Sequence, residues 1–209
     1  MLNKGLDRRN YNFEIRAEED SSEGAIITGR PIIYNSKTDL GWFEEIIEKG
    51  ALDKTDLTDV RFLVNHDTSK IPLARSRKDS KDSTMQLEVD DKGLSIRVNL
   101  DVENNSEARN LYSAVQRRDI SGMSFMFGIS DEEWENLDSD YPTRRIKSIS
   151  NVVEVSAVTF PAYEDTEIST RNREALDNAK KIVETIRDNK PKDSDLELEK
   201  LKAKYLYNL

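Results

Sequence analysis

The stretch Asp119-Ile-Ser-Gly-Met-Ser-Phe-Met-Phe-Gly-Ile129 decides how the rest of the chain is interpreted. Its bulky residues Met123, Phe125 and Phe127 alternate with smaller ones, and this period of two predicts a strand with one apolar face. Ser124 falls on the opposite face, between two glycines that leave open space around its hydroxyl. Such a hydroxyl could act as a nucleophile on a peptide. Taken alone, the stretch favours a strand serine that is hydrogen-bonded to a neighbouring carbonyl, and both interpretations stay open here.

The segments around this stretch predict a mostly β domain. Asn104 with Glu107 three positions later resembles a capping box, which predicts one central helix just before the Ser124 strand. The acidic segment 131–140 is expected to be a surface loop, and residues 144–159 are expected to form a long strand. Several short strands precede the helix, two of them joined by a hairpin turn at residues 90–93. About eight or more short strands and one helix predict a small, mostly antiparallel, barrel-like α+β domain.

The composition excludes several classes of protein. The formal net charge of −9 argues against a nucleic-acid binder, which normally carries a basic face. With no cysteine and one histidine, neither a disulfide nor a thiolate or multi-histidine metal site is expected, and no cofactor is expected either. No run approaches the ~18 apolar residues of a membrane span, and the N-terminus lacks the apolar core of a signal peptide. A soluble cytoplasmic protein with no membrane partner is therefore the expectation.

The single histidine, His66, follows an apolar strand at residues 60–65. Histidine is the side chain best suited to general base catalysis near neutral pH, and residues at strand ends often border a cleft. His66 is therefore either a general base or a surface histidine without a catalytic role. Its neighbour Asp67 is a poor candidate for orienting it, because adjacent residues on a strand point to opposite faces.

Glu154 interrupts an otherwise nearly apolar strand. Burying a lone carboxylate costs several kcal/mol, so Glu154 should have a cationic or hydrogen-bonding partner. An imidazolium formed at His66 would be one such partner, and Arg144, Arg145 or solvent at a sheet edge are the alternatives. Together with Ser124, these residues supply the hydroxyl, base and acid that nucleophilic acyl transfer requires, although residues this common also occur together by chance.

The chain changes character after residue 170. Apolar residues recur at helical spacing over 174–188, and a narrow apolar seam runs along the charged segment 195–209. The sequence therefore predicts a flexible N-terminus at 1–10, a domain at 11–170 and a charged helical tail at 171–209. The seam fits a docking or coiled-coil helix and also fits a helix that covers its own domain.

Five blocks of sequence together carry a resemblance to a known family over residues 11–170. They are Gly-Arg-Pro-Ile-Ile-Tyr-Asn at 29–35, Glu-Glu-Ile-Ile-Glu-Lys-Gly-Ala at 44–51, Leu-Val-Asn-His-Asp at 63–67, Asp-Ile-Ser-Gly-Met-Ser-Phe-Met-Phe at 119–127 and Val-Glu-Val-Ser-Ala-Val-Thr-Phe-Pro-Ala at 153–162. In their order and spacing the chain resembles the prohead, or capsid maturation, proteases of tailed bacteriophages. Those proteases are related in fold to the herpesvirus assemblin proteases, so an assemblin-like fold is implied.

The resemblance implies a serine endopeptidase with His66 as general base and Ser124 as nucleophile. The assemblin relatives use a second histidine as third member, and this chain has only one histidine. Glu154 lies in the matching strand, so it is expected to be the orienting acid. Met126 departs from the family pattern, in which many relatives have glycine, and this departure puts substrate preference and, mildly, activity in question. Ser121 is a second nearby hydroxyl, but its position before the glycine does not match the block.

The resemblance also implies partners and a location. Members of the family digest a scaffold protein, or the scaffold region of the major capsid protein, inside the assembling prohead in the host cytoplasm, and they commonly cleave themselves. The tail at 171–209 is then expected to dock on scaffold or capsid protein and to be removed later. A homodimer is an expectation from the assemblin relatives alone. The competing hypothesis is a catalytically inactive assembly or scaffold factor that retains the protease fold, and Met126 and the charged tail keep it open.

Overall fold

The computed structural model describes residues 6–11, 15–18, 24–78, 80–159 and 166–188. Strands dominate this part of the chain, and two helices accompany them. In chain order the elements are β1 (Leu6–Tyr11), β2 (Ile15–Ala17), β3 (Ala25–Ile33), β4 (Lys37–Asp39), β5 (Glu44–Ile47), β6 (Asp59–Val64), β7 (Ala74–Arg77), β8 (Met85–Asp90), β9 (Gly93–Leu100), α1 (Ser106–Gln116), β10 (Gly122–Glu135), β11 (Thr143–Val158) and α2 (Thr166–Asp188).

A seven-stranded sheet contains the long antiparallel pair β10 and β11 at its centre. Its strand order is β1-β10-β11-β5-β4, and β6 joins β11 on the same side as β5. Both β5 and β6 run parallel to β11, with β5 along the segment 143–146 and β6 along the segment 154–157. Strand β7 then pairs with β6. The end of β6 is therefore brought beside the last part of β11.

A separate four-stranded sheet has the order β2-β3-β9-β8. The pairing of β3 with β9 shifts register between Gly29 and Ile32, where Pro31 lacks an N–H for the ladder. Strands β8 and β9 form the predicted hairpin, which is confirmed. Gly93 closes that hairpin with φ of +137°, and a Cβ there would lie 2.0 Å from the carbonyl oxygen of Ile32, so no other residue fits without displacing the backbone.

One apolar core joins the two sheets to helix α1. Strands β6 and β10 contribute fully buried aromatic side chains to this core, and β3 and β9 contribute branched apolar residues. Helix α1 adds Ala108, Leu111 and Val115, which lie on one face at spacings of three and four. Asn105 caps this helix, because its side chain accepts hydrogen bonds from the N–H groups of Glu107 and Ala108.

The α+β class is confirmed, but the barrel is not. The described residues form two sheets, and neither closes on itself, because β1 and β4 end one sheet and β2 and β8 end the other. Residues 6–10, expected to be flexible, form most of β1, and the expected loop at 131–140 begins with the last five residues of β10. Residues 1–5 and 189–209 lie outside the described residues, and the predicted apolar seam at 195–209 lies entirely among them.

Helix α2 begins within the predicted domain and continues into the predicted tail. Leu176 on this helix is buried, and the guanidinium of Arg173 lies 5.1 Å from the centre of the Trp42 ring. Neither α1 nor the described helix α2 has the length and apolar composition that a membrane-crossing helix requires.

Candidate active site

Strand β10 positions Ser124 on the face of the sheet that points away from the main core. Met123, Phe125 and Phe127 belong to the apolar core and have no exposed surface. Ser124 lies between them on the alternate face and is itself fully buried. The period of two therefore places the serine as the sequence predicted, while the burial shows that it is not open to solvent.

Strand β11 brings two polar side chains to the same place. Ser124 is directly paired with Ser156, and Met126 is directly paired with Glu154. Because Glu154 and Ser156 are two residues apart on one strand, both point to the Ser124 face. Glu154 is 1% exposed and Ser156 is fully buried. The register of two neighbouring strands thus places a hydroxyl, a carboxylate and a second hydroxyl side by side.

His66 reaches this group from a strained turn at the end of β6. Asn65 has φ of 50° and His66 has φ of 57°, so two consecutive non-glycine residues adopt the left-handed conformation. Each such residue costs roughly 1–2 kcal/mol, which surrounding contacts must offset. The N–H of Asn65 donates to the carbonyl of Ala157 at 2.9 Å, and the N–H of Thr159 donates to the side-chain oxygen of Asn65 at 3.0 Å. These bonds fix the turn against β11.

The imidazole joins the nucleophile candidate to the carboxylate. Its Nε2 lies 2.5 Å from the Oγ of Ser124, and its Nδ1 lies 2.6 Å from Oε1 of Glu154. The second carboxylate oxygen accepts a hydrogen bond from the Oγ of Ser156 at 2.5 Å. Ser156 in turn accepts a hydrogen bond from the backbone N–H of His66 at 3.1 Å. The sequence-predicted residues at 66, 124 and 154 therefore meet in one hydrogen-bonded chain.

The chemistry of this hydrogen-bonded chain follows from which of its atoms can donate and which can accept a hydrogen bond. A carboxylate only accepts hydrogen bonds, so Glu154 favours the tautomer with the proton on Nδ1 of His66. The Nε2 atom then carries the lone pair, which faces the hydroxyl of Ser124 and can accept its proton. The His66 side chain is 9% exposed, so the group is largely removed from water. Hydrogen bonds to charged groups are stronger in such a buried environment than in water. The arrangement can move a proton from the serine to the imidazole.

The alternatives that the sequence left open have other partners. Asp67 accepts hydrogen bonds from the N–H and the Oγ of Ser69. Arg145 pairs with Glu135 at 2.7 Å, and Ser121 is exposed and directly precedes β10. Met126 is 3% exposed and lies on the Ser124 face, so it narrows the space next to the hydroxyl.

Sequence reasoning missed Ser156 and the bond between Asn65 and Thr159. A signal for Ser156 was available, because it is the other polar residue of the apolar run and lies two positions after Glu154. Asn65 carried a weaker signal, since asparagine is enriched in left-handed conformations. Thr159 carried none, because its partner is 94 positions away in sequence.

A second buried polar group lies at the other end of the same strands, and we call it the arginine cluster. Arg144 on β11 is 5% exposed, and Glu45 on β5 is fully buried. Arg144 Nη1 lies 3.3 Å from Glu45 and 3.1 Å from Asp7 on β1, and its Nε donates to Glu132 on β10 at 2.9 Å. The cluster therefore ties four strands of the sheet together.

Comparison with known proteins identifies the family. Residues 11–182, more than half of the chain, match the family model described as caudovirus prohead serine protease. No curated protein and no solved structure matches the chain significantly. The matched segment spans every residue of the hydrogen-bonded chain at Ser124. This protein belongs to the caudovirus prohead serine protease family.

Proposed function

We propose that this protein is a serine endopeptidase that processes a scaffold protein, or the scaffold segment of the major capsid protein, during phage head maturation. Ser124 is the nucleophile, His66 the general base and Glu154 the acid that orients the imidazole. The observation that supports these roles best is the unbroken hydrogen-bonded chain, with 2.5 Å from Ser124 to His66 and 2.6 Å from His66 to Glu154. Membership of a serine protease family supports the reaction class.

In the first half of the reaction, the Oγ of Ser124 forms a bond to the carbonyl carbon of the substrate. Its proton passes to Nε2 of His66, and the resulting imidazolium is stabilised by the carboxylate of Glu154. When the C–N bond of the tetrahedral intermediate breaks, Nε2 returns the proton to the leaving amine. An acyl-enzyme ester on Ser124 remains.

In the second half, water replaces the amine. Nε2 of His66 takes a proton from the water while its oxygen bonds to the ester carbon, and the same proton then returns to Oγ of Ser124 as the ester bond breaks. The product acid leaves and the hydroxyl is restored. Ser156 holds the second oxygen of Glu154 throughout, so the carboxylate keeps its orientation.

The choice of substrate and place follows from the family. A prohead protease acts in the host cell, within the assembling prohead, so its substrates are the proteins enclosed with it. Scaffold protein and the scaffold segment of the capsid protein are the proposed substrates, and the chain itself is a further one. The helical tail after residue 170 is proposed to dock the protease on one of these partners before it is removed.

The chemistry is tested with a small fluorophosphonate and intact mass measurement. Attack by Ser124 forms a P–O bond and releases fluoride, so the active protein gains one adduct. Ser124→Ala should gain none, while Ser121→Ala, which changes an exposed hydroxyl three positions away, should react as the wild type does. Reaction of Ser124→Ala at the wild-type rate would contradict the assignment.

The substrate is tested by co-expression with the capsid and scaffold proteins of the same phage, followed by sequencing of new N-termini. New termini with the wild type and none with Ser124→Ala are expected. If the wild type forms the phosphonate adduct but produces no new termini, the enzyme is active and the substrate proposal is wrong. The absence of both would favour the inactive assembly factor, with which the burial of Ser124 is also consistent.

A further inference from the structure

The candidate nucleophile has no exposed surface, although a protease must admit a polypeptide to it. Ser124 is fully buried, and only 9% of the His66 side chain is exposed. Something beside Ser124 must therefore move before a peptide carbonyl can reach its hydroxyl. The two strands that flank β10 are the elements to compare.

The two neighbours of β10 differ in what their departure would cost. Strand β11 carries Glu154 and Ser156 and pairs with β6, so its movement would separate the acid from His66. Strand β1 carries none of the three residues at 66, 124 and 154. It is also the terminal strand of the sheet among the described residues, so it can leave without breaking any other pairing. Only β1 can vacate its place while the hydrogen-bonded chain stays intact.

The position of β1 is the one that an extended substrate would need. It runs antiparallel to β10 over residues 6–11, and the backbone of Asn10 is paired with that of Ser124. Extended peptides commonly bind proteins by adding a strand to the edge of a sheet, where main-chain hydrogen bonds provide affinity. A peptide in this place would lie beside the nucleophile in the same register.

Two observations set β1 apart from the rest of the sheet. The segment that matches the family model begins at residue 11, so nearly all of β1 precedes it. The side chain of Asp7 on β1 also forms an ion pair with Arg144 at 3.1 Å. Arg144 keeps Glu45 and Glu132 as partners if Asp7 leaves, so release of β1 does not isolate a buried charge.

We propose that residues 6–11 occupy the peptide-binding position of this protease and that an extended polypeptide substrate displaces them and pairs with β10 in the same antiparallel register. The substrate class is then an unfolded or extended segment of at least about six residues rather than a folded surface. The N-terminal strand acts as a competitor within the chain, held by the Asp7–Arg144 ion pair. This inference rests on the proposed function, because it assumes that Ser124 is the nucleophile.

The direct test compares two covalent probes on the full chain by hydrogen exchange and mass spectrometry. One probe is a fluorophosphonate with a short alkyl chain, and the other is a diphenyl phosphonate with a four-residue peptide arm. With the peptide probe, amides of residues 6–11 should lose protection while those of 122–127 keep it, because the peptide takes over the hydrogen bonds. With the alkyl probe, residues 6–11 should regain protection after reaction.

Two variants of Asp7 provide the second test. Asp7→Arg places a positive charge beside Arg144 and should raise the rate of labelling by the peptide probe by about tenfold, and Asp7→Asn by a smaller factor. Glu133→Gln is the control, because it removes the ion pair between Glu133 and Lys147, which also joins two strands of this sheet but does not involve β1. Its labelling rate should equal that of the wild type.

The outcomes separate the two proposals. If neither probe forms an adduct at Ser124, the proposed function fails. If the peptide probe reacts at Ser124 while residues 6–11 stay protected and the Asp7 variants react at the control rate, the proposed function stands. The displacement of β1 is then refuted.

Discussion

The seven-stranded sheet contains two buried polar groups that look alike in burial and differ in what they can do. One is the chain of Ser124, His66, Glu154 and Ser156, and the other is the arginine cluster at Arg144. All buried polar or charged residues of the described chain, which are Glu45, Ser124, Arg144, Glu154 and Ser156, lie on β5, β10 and β11. The four-stranded sheet has none among the described residues.

The difference between the two groups lies in their donors. Arginine stays protonated in proteins, so Arg144 keeps a fixed positive charge. It can attract the surrounding carboxylates, but it cannot accept or release a proton. The imidazole of His66 can both give and take a proton, and it lies between a hydroxyl and a carboxylate. The arginine cluster therefore holds the strands together at one end of the sheet. The hydrogen-bonded chain at Ser124, in our proposal, transfers a proton at the other end.

The largest expected effect is the loss of catalysis in Ser124→Ala and in His66→Ala. Each should lower kcat by about 10⁶, and the double variant should lose no more, because the pair acts as a unit. The free energy of unfolding of Ser124→Ala should fall by no more than about 3 kcal/mol, the cost of leaving the buried Nε2 of His66 without this hydroxyl. Peptidase assays and urea unfolding measure the two quantities, and a large loss of stability would show that the group is structural.

A smaller loss is expected for Glu154→Gln. The side chain keeps its size, but when its amide nitrogen faces His66, the proton of the imidazole moves to Nε2 and the ring no longer accepts the Ser124 proton. We expect kcat to fall by roughly 10²–10⁴. Steady-state kinetics at neutral pH check this, and wild-type kcat would remove Glu154 from the mechanism.

Substitutions in the arginine cluster should mainly lower the stability of the fold, whereas those at Ser124, His66 and Glu154 should mainly lower kcat. Arg144→Met removes the guanidinium that lies 3.3 Å from the fully buried Glu45, and the free energy of unfolding should fall by about 3–5 kcal/mol. Arg145→Met is the matched control, because Arg145 is adjacent but its side chain is 30% exposed. That variant should cost no more than about 1 kcal/mol by urea unfolding. Equal costs would contradict the contrast between buried and exposed pairs.

A moderate effect is expected from Ser156→Ala, which removes the hydroxyl shared by Glu154 and the His66 backbone. Hydrogen bonds to charged groups contribute about 1.5–3 kcal/mol, so kcat should fall roughly 10- to 150-fold with KM little changed. The chain has one histidine, so the Nδ1 proton signal of His66 can be assigned directly by NMR. That signal should shift in Ser156→Ala and stay in place in Ser148→Ala, a partly exposed serine of the same strand.

The smallest effect is expected from a partly exposed pair outside both groups, between Arg30 and Asp90 at 2.6 Å. Hydrogen bonding to Arg30 lowers the pKa of Asp90 from 3.8 to about 2. A lowered pKa stabilises the fold above the ordinary value, and this stabilisation disappears as the pH falls from about 4 to about 2. The small difference in urea midpoint between wild type and Asp90→Asn at pH 7 should therefore become smaller as the pH is lowered from about 4 to about 2.

Much of the site was predictable from sequence because period-two alternation and strand ends are local signals. The Ser124 face, the position of His66 at the end of a strand and the isolation of Glu154 in an apolar run all follow from neighbouring residues. What brings them together is the register of β10, β11 and β6, which depends on pairs up to 93 positions apart. The contact was therefore an expectation from the family resemblance.

The errors in the fold have similar causes. Helix α1 is capped by Asn105 rather than Asn104, because both asparagines suit the position and local pattern cannot choose between them. The acidic residues 131–135 looked like a loop, yet they continue β10, where several pair with basic residues of β11. Residues 6–11 show no alternation of apolar and polar residues, so no local pattern indicates β1. This segment forms a strand because it pairs with β10.

The left-handed turn at Asn65 and His66 makes the alignment of the His66 imidazole with Ser124 depend on the completed fold. Its backbone shape is held by Ala157 and Thr159, so the imidazole is aimed only after the last strand has joined the sheet. During synthesis His66 leaves the ribosome long before the serine and the acid do. A nascent or truncated chain that lacks β11 therefore has no aligned base, and the hydrogen-bonded chain at Ser124 can form only after β11 has been made.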